Sequence, residues 1–120
     1  MRIAISSTGR DLDANLDPRF GRADYYIILD SETMDFYAVE NSQNFNSPQG
    51  AGIQAARIIA DQDIDTLITG HCGPKAFKVL QNAGVKVITG AGGRVADAVD
   101  QLKKGKLGIA AGADVEGHWV

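Results

Sequence analysis

The sequence has little of what would tie it to an oxidising compartment, a membrane or a nucleic acid. Among its 120 residues there is one cysteine, Cys72, so the chain cannot form an internal disulfide. Its apolar runs reach about six residues, whereas a membrane-spanning helix needs about 20. Fifteen Asp and Glu outweigh twelve Lys and Arg, so the formal charge of -3 offers no basic field for nucleic acid. We therefore expect a cytoplasmic protein with neither a membrane nor a nucleic-acid partner; the start of the chain also lacks the pattern of a signal peptide.

What is present is the composition of one globular domain with an excess of glycine. Apolar residues make up 44% of the chain and charged residues 22%, which is typical of a soluble fold. A chain of this length buries roughly two-thirds of its unfolded surface, so a core forms without cross-links. Residues 1–120 are therefore expected to be a single domain. Fourteen glycines stand beside three prolines, and most of them follow predicted strands or precede helices.

Apolar periodicity and turn residues predict an α/β fold. The predicted strands are residues 2–7, 25–30, 36–40, 66–69 and 85–89, and the predicted helices are 51–62, 74–83 and 95–104. A strand, a hairpin and then alternating helices and strands imply three α/β/α layers around a mixed five-stranded sheet in the order 3-2-1-4-5. Residues 8–22 and 41–50 are expected to be irregular, and 107–120 a loosely attached tail. Ligands of such sheets bind beyond the carboxyl ends of the parallel strands, where loops 6–22, 70–73 and 90–93 should meet.

Two side chains in these loops are candidate metal ligands. His71 and Cys72 lie between a strand and the helix that begins at Pro74. Unsatisfied N–H groups at a helix start favour a thiolate, which can attack an electrophile or bind a soft metal. The alternative is that Cys72 is a small buried core residue. A thioredoxin-like dithiol is excluded because Lys75 stands where a second cysteine would be, and a Cys-His hydrolase is disfavoured because adjacent residues seldom face each other.

The loop Gly90-Ala91-Gly92-Gly93-Arg94 is a candidate anion site because bare backbone N–H groups and an arginine meet at a helix start. It lacks the spacing of a dinucleotide or P-loop motif, so a plain strand-to-helix turn explains it equally well. Arg10, Arg19 and Arg22 would add a cationic rim if loop 8–22 folds over the same edge.

Four runs of the sequence are familiar in combination: Arg-Ile-Ala-Ile-Ser-Ser-Thr-Gly from Arg2, Asp-Pro-Arg-Phe-Gly-Arg-Ala from Asp17 leading into Tyr25-Tyr26, Gly50-Ala51-Gly52, and Thr-Gly-His-Cys-Gly-Pro-Lys-Ala-Phe from Thr69 closing with Ala83-Gly84-Val85. Together they resemble the dinitrogenase iron-molybdenum cofactor-binding family, which includes NifX, the C-terminal part of NifB and small stand-alone members such as the orange protein. The resemblance covers residues 2–105 and implies a ribonuclease H-like α/β fold.

What the family implies is non-catalytic binding, storage or delivery of a preformed anionic molybdenum-containing metal-sulfur cluster, of Fe-Mo-S or Mo-Cu-S type. The expected contacts to the cluster are Ser7, Thr8, Arg19, Phe20, Gly21, Gly50, Gly70, Gly73, Gly92 and Arg94, with His71 and Cys72 as metal ligands. Several members have His-Phe-Gly where this chain has Arg19-Phe20-Gly21. Arginine cannot coordinate a metal but can donate hydrogen bonds to sulfide. Two hypotheses follow: capture by Arg19, Arg94 and backbone N–H groups, or coordination by His71 or Cys72.

Two other functions remain open. One is a regulatory or adaptor domain that binds a small anion, a nucleotide or a partner ATPase without metal. The other is a Cys72-dependent thiol or sulfur-transfer enzyme. The expected partners of a cluster carrier are cluster-biosynthesis proteins or a P-loop ATPase, and the expected state is a monomer or weak dimer.

Overall fold

The computed structural model describes residues 1–41, 50–110 and 112. Along this part of the chain the elements are β1 (Arg2–Ser7), β2 (Tyr25–Asp30), β3 (Phe36–Glu40), α1 (Ala51–Ala60), β4 (Thr66–Ile68), α2 (Pro74–Asn82), β5 (Lys86–Ile88) and α3 (Val95–Lys103). The predicted α/β class is confirmed. Loop 8–22 contains one turn of 3-10 helix, Phe20–Arg22, that the sequence pattern did not indicate.

The sheet has the predicted order, β3-β2-β1-β4-β5. β2 is antiparallel to both β1 and β3, while β4 is parallel to β1 and to β5. Four strands, β1, β3, β4 and β5, therefore point the same way. Each of the three helices begins after one of them, so the helix N-termini share one edge of the sheet. We call this the carboxyl edge.

Helices cover both faces of the sheet, and each face has its own core. Successive strand residues point to opposite faces, so Ala4 joins the core with α1 and α2 while Ile3 and Ile5 join the core with α3. Residues Ile3 to Ser7 are all buried, which explains why apolar residues follow one another from Ile3 to Ile5 without alternating with polar ones. Fully burying each large apolar side chain contributes about 1.5–3 kcal/mol.

The boundaries of α1 and of the short strands differ slightly from the prediction. α1 ends at Ala60 rather than 62, because the Gln62 N–H donates to the Ile59 carbonyl three residues back, at 3.0 Å, and Asp63 adopts a left-handed φ of 57°. β4 and β5 are each three residues long. Thr69 and Thr89, predicted as their last residues, belong to the loops of the carboxyl edge, and Val85 belongs to the turn after α2.

The predicted tail is described only at 107–110 and 112. There the Ala110 N–H donates to the Val87 carbonyl of β5 at 2.7 Å. Leu107 packs against the core under α3 and Ala110 against the core under α2. Residues 107–110 are thus attached to the sheet. The predicted irregular stretch 41–50 falls, between its two ends, outside the described residues.

Candidate functional site

A segment of loop 8–22 crosses the carboxyl edge at the point between β1 and β4 where the strand order reverses. Leu16 N–H donates to the Gly93 carbonyl at 2.9 Å, and Asp17 N–H to the Ser6 carbonyl at 2.9 Å. The segment is thereby bonded both to β1 and to the loop after β5. Sheets of this type bind ligands at such a reversal, and here the chain's own backbone lies across it.

The same segment is joined to the loop after β4. His71 N–H donates to the Pro18 carbonyl at 2.7 Å, and Phe20 N–H donates to the His71 carbonyl at 3.2 Å. Arg19 and His71 thereby form a parallel bridge. A Cβ on Gly70 would lie 2.6 Å from both Cα and the carbonyl oxygen of Pro18, so this close approach requires glycine. The structure therefore places two predicted site residues, Arg19 and His71, side by side.

Two buried polar side chains hold the Phe20–Arg22 turn from below. The Tyr26 hydroxyl donates to the Phe20 carbonyl. The Asn41 amide donates to the carbonyls of Gly21 at 3.2 Å and Ala23 at 2.8 Å and to the Tyr26 hydroxyl at 3.2 Å. Burial raises the pKa of Tyr26 well above its ordinary value, so the hydroxyl stays a donor. No periodic pattern predicts this role, because Asn41 was expected only as the first residue of the irregular stretch 41–50.

Asp17 holds the backbone in place just before Arg19. Its carboxylate Oδ1 accepts the Arg19 backbone N–H at 3.0 Å, and its carbonyl accepts the Ser6 hydroxyl at 2.7 Å. The Ser6 hydroxyl also lies 2.8 Å from that of Thr69, which ties β1 to β4. Burial raises the pKa of Asp17, opposed by the Arg19 amide and by the charge of the Arg19 guanidinium.

The two predicted metal ligands differ in accessibility. His71 is half-buried, whereas Cys72 is completely buried in the core formed with Phe20, Tyr26 and Phe77. The Cys72 Sγ donates weakly to the Gly73 carbonyl at 3.7 Å. Within the described ranges, no group of three or more His, Cys, Asp or Glu side chains could hold a metal ion. The donors at the edge suit an anion better than a bare cation.

The N-termini of α1 and α2 add positive potential on this side of the sheet. Their N-cap residues, Gly50 and Gly73, have no side chain to accept the first-turn N–H groups, and neither first turn contains an acidic residue. α1 packs against both α2 and the Phe20–Arg22 turn. Arg19, paired with His71 in the loop before α2, is exposed, and Arg22, in the turn that packs against α1, is half-buried. Arg10 lies 4.8 Å from the centre of the Tyr25 ring.

The remaining predicted contacts lie on the α3 side. Ser7 and Thr8 are engaged locally: the Ser7 hydroxyl donates to the Gly9 carbonyl at 2.8 Å, and Thr8 N–H to the Asn15 carbonyl at 3.0 Å. Asn15 in turn bridges Arg94. Nearby is a cavity of about 500 Å³, lined by Gly90, Ala91, Gly92, Gly93, Asp97, Asp100 and Gln101. The carboxylates of Asp97 and Asp100 would repel an anion in this cavity.

The predicted residues thus form two groups, divided by Leu16, Asp17 and Pro18. On the α1 and α2 side are Arg19, Phe20, Gly21, Gly50, Gly70, His71, Cys72 and Gly73; on the α3 side are Ser7, Thr8, Gly92 and Arg94. Phe20, completely buried against Tyr26 with the ring centres 5.5 Å apart, can offer a ligand only its backbone. We call the first group the Arg19–His71 face.

Comparison with known proteins identifies the family. The family model described as dinitrogenase iron-molybdenum cofactor matches residues 1–105. The chain belongs to this family. Among solved structures, the chain is similar to the apo form of the orange protein from Desulfovibrio gigas, which is 41% identical, with a TM-score of 0.91 over 95% of this chain and 96% of that one. The resemblance stated from the sequence motifs is confirmed.

Two further relatives extend the comparison. A putative NifB protein from Thermotoga is 34% identical and has a TM-score of 0.81, covering 97% of this chain and 98% of that one. An uncharacterized protein of Methanocaldococcus jannaschii is 26% identical over 110 residues, which is 89% of this chain and 93% of the relative. In the part of the chain that the structure describes, no helix has the length and apolar character needed to cross a membrane.

Proposed function

We propose that this chain binds and carries a preformed, anionic, molybdenum-containing metal-sulfur cluster without chemical turnover. Family membership supports a role in iron-molybdenum cofactor binding or transport. The observation that carries the proposal is the pairing of Arg19 with His71 beside the start of α2. A guanidinium, an imidazole and exposed backbone N–H groups there match a cargo whose surface is negatively charged sulfide.

The proposed binding of the cluster is mainly electrostatic. Hydrogen bonds to a charged group contribute about 1.5–3 kcal/mol each, and a helix N-terminus stabilises an anion by about 0.3–1 kcal/mol. Arg19 would supply the former, and the starts of α1 and α2 the latter. Several such contacts suffice for a cluster that already has its own sulfide ligands.

Of the two candidate ligands, His71 suits coordination better than Cys72. The imidazole is half-buried and borders the Arg19–His71 face, whereas the Cys72 thiol would have to leave the core to reach a metal. We propose that a cluster of either Fe-Mo-S or Mo-Cu-S type rests on this face, with His71 as its one protein ligand. Thiol-dependent catalysis fits the burial of Cys72 poorly.

The test is anaerobic reconstitution with tetrathiomolybdate and Cu(I), and separately with an iron-sulfur donor and molybdate. Visible absorption together with molybdenum, copper, iron and sulfide content after gel filtration reports retention. We expect Arg19→Ala to weaken binding about 10- to 100-fold, since it removes a charged hydrogen bond. Arg57→Ala, an exposed arginine in the last turn of α1 at the other end of that helix, is the matched control and should bind normally.

His71→Ala and Cys72→Ser separate the two ligand hypotheses. Loss of the cluster spectrum in His71→Ala alone supports the proposal, whereas loss in Cys72→Ser alone transfers the ligand role to the thiol. If Arg19→Ala and Arg57→Ala bind equally well, the proposed face is wrong. Phosphate binding that depends on Arg19, with no retention of metal, would favour the anion-binding adaptor instead.

The proposed setting is cytoplasmic. The proposed partners are the proteins that make or receive the cluster, or a P-loop ATPase that acts with them. Sedimentation of the loaded protein, with a monomer or weak dimer expected, tests the proposed state.

A further inference from the structure

Among the described residues, the backbone groups on the outer edge of β3 have no hydrogen-bond partner. Asn41 N–H donates to the Asp24 carbonyl at 3.0 Å, and Asp30 N–H to the Asp35 carbonyl at 2.9 Å, so these two pairs are hydrogen-bonded across β2 and β3. Hydrogen-bonded and non-hydrogen-bonded pairs alternate along an antiparallel ladder. With the observed register, the N–H and C=O groups that point away from β2 belong to Phe36, Ala38 and Glu40. β3 is the last strand of the sheet on this side.

Large apolar side chains flank these open groups. Among the described residues five large hydrophobic side chains are exposed, and three of them, Met34, Phe36 and Tyr37, lie in β3 or in the turn before it. Phe36 and Tyr37 are 41% and 45% exposed and point to opposite faces of the sheet. A strand that pairs with this edge would therefore cover an aromatic ring on each face.

The two edges of the sheet are protected differently. β5 begins with Lys86, is three residues long, and its outward Val87 carbonyl is already occupied by Ala110. Short length, lysine and a covering segment are the usual ways of blocking edge-to-edge pairing. β3 has five residues, Phe-Tyr-Ala-Val-Glu, with no lysine, proline or glycine.

The negative charge around β3 favours a partner with basic residues. Residues 30–40 contain four acidic residues and no basic one, whereas the rest of the chain carries slightly more basic than acidic residues. Two cations approach from other elements: the Arg2 guanidinium bonds the Tyr37 hydroxyl at 3.0 Å, and the Lys103 ammonium lies 2.9 Å from the Met34 sulfur. Asp35 and Glu40, one at each end of β3, are exposed.

We propose that the open edge of β3 binds an extended segment of a partner protein that has apolar residues at its centre and basic residues at its ends. The backbone of that segment would extend the sheet by one strand, and its basic ends would meet Asp35 and Glu40. A second copy of this chain fits less well, because antiparallel self-pairing brings four acidic side chains to one short seam without a basic residue from either strand. This surface is distinct from the Arg19–His71 face and does not depend on the cluster.

The test uses the ¹⁵N-labelled protein and the peptide acetyl-Lys-Val-Thr-Val-Thr-Lys-amide, compared with the same peptide carrying Glu in place of both lysines. NMR titration should shift the amides of Phe36, Ala38 and Glu40, and the lysine peptide should bind several-fold more tightly at low salt. Ala38→Pro removes an outward N–H without breaking a bond to β2 and should weaken binding at least tenfold.

A charge change checks the same surface without altering the backbone. Glu40→Lys should weaken binding of the lysine peptide roughly fivefold, while Asp61→Lys, with the same change in charge at the exposed end of α1, should not. The proposal is overturned if both peptides bind equally, if the shifts fall on β5, or if Glu40→Lys and Asp61→Lys bind alike. It is also overturned if the β3 amides shift with protein concentration alone, because a second copy would then be the occupant.

Discussion

Replacing Gly70 by alanine is the sharpest test of how the candidate site is built. The added Cβ would lie 2.6 Å from the Pro18 Cα and carbonyl oxygen and 2.9 Å from the Pro18 Cβ. Two of these three atoms are backbone, so a rotamer change cannot relieve the clash. The segment around Pro18 must move away from the loop after β4, or the site must remain strained.

The expected cost follows from two contributions. Forcing an extra methyl group into packed structure costs about 1–3 kcal/mol. Displacing Pro18 also weakens the 2.7 Å bond from His71 N–H to the Pro18 carbonyl, a contribution of about 0.5–1.5 kcal/mol. We therefore expect Gly70→Ala to lower the free energy of unfolding by about 2–4 kcal/mol. For a domain of this length that corresponds to a decrease in Tm of roughly 4 °C per kcal/mol.

Urea unfolding of Gly70→Ala and Gly92→Ala, side by side, provides the measurement. Gly92 is the matched control because its Cβ would have no atom within 4 Å and its φ is not in the left-handed region. We expect Gly92→Ala to stay within about 0.5 kcal/mol of the parent. Equal stability of the two variants would refute the close contact between Pro18 and Gly70, and with it the pairing of Arg19 with His71.

Three further predictions concern polar groups. Asn41→Leu should cost about 2–4 kcal/mol in urea unfolding, because two buried carbonyls lose their donor; a loss below about 1 kcal/mol would contradict this. Because burial raises the pKa of Asp17, ionisation of its carboxyl group lowers the stability of the folded protein. This loss of stability is complete above the folded-state pKa and absent below the ordinary value of 3.8. Asp17→Asn should therefore be relatively more stable than the parent at pH 7 than at pH 3.5; the opposite trend in thermal unfolding would contradict it. Asp100→Ala breaks the exposed 2.9 Å ion pair with Lys104 and should change the unfolding free energy by about 0.5 kcal/mol or less.

Local patterns were enough to predict the framework of the fold. The helix that begins at Pro74 and ends before Gly84 has its start, apolar face and stop within a dozen residues. The sheet order followed from connection rules, since a hairpin after β1 leaves only the other side of β1 for the later parallel strands. These features depend on neighbours in sequence or on general topology, so they can be read without coordinates.

The candidate site could be predicted only as a set of loops. Its geometry depends on backbone bonds between residues about 50 to 80 positions apart, such as His71 to Pro18 and Leu16 to Gly93, and these leave no periodic trace. The burial of Cys72 could not be decided either, because a helix-start cysteine suits a ligand and a core residue equally well. The roles of Asn41 and Tyr26 were missed for the same reason. Each side chain holds the Phe20–Arg22 turn by donating to backbone carbonyls, and because every residue has a carbonyl, such bonds leave no signature in the sequence.

Mainly electrostatic binding also explains how such a protein releases its cluster. A carrier that coordinates a cluster through several thiolates must break metal-ligand bonds at transfer. Here the only cysteine lies in the core, and the face beside it offers Arg19, His71 and the starts of α1 and α2. Apart from the single coordinate bond from His71, these contacts are electrostatic, so they weaken with salt and can be replaced one at a time by those of a recipient. The proposed binding should therefore fall steeply as salt is raised, whereas coordination by a buried thiolate would be nearly insensitive to it.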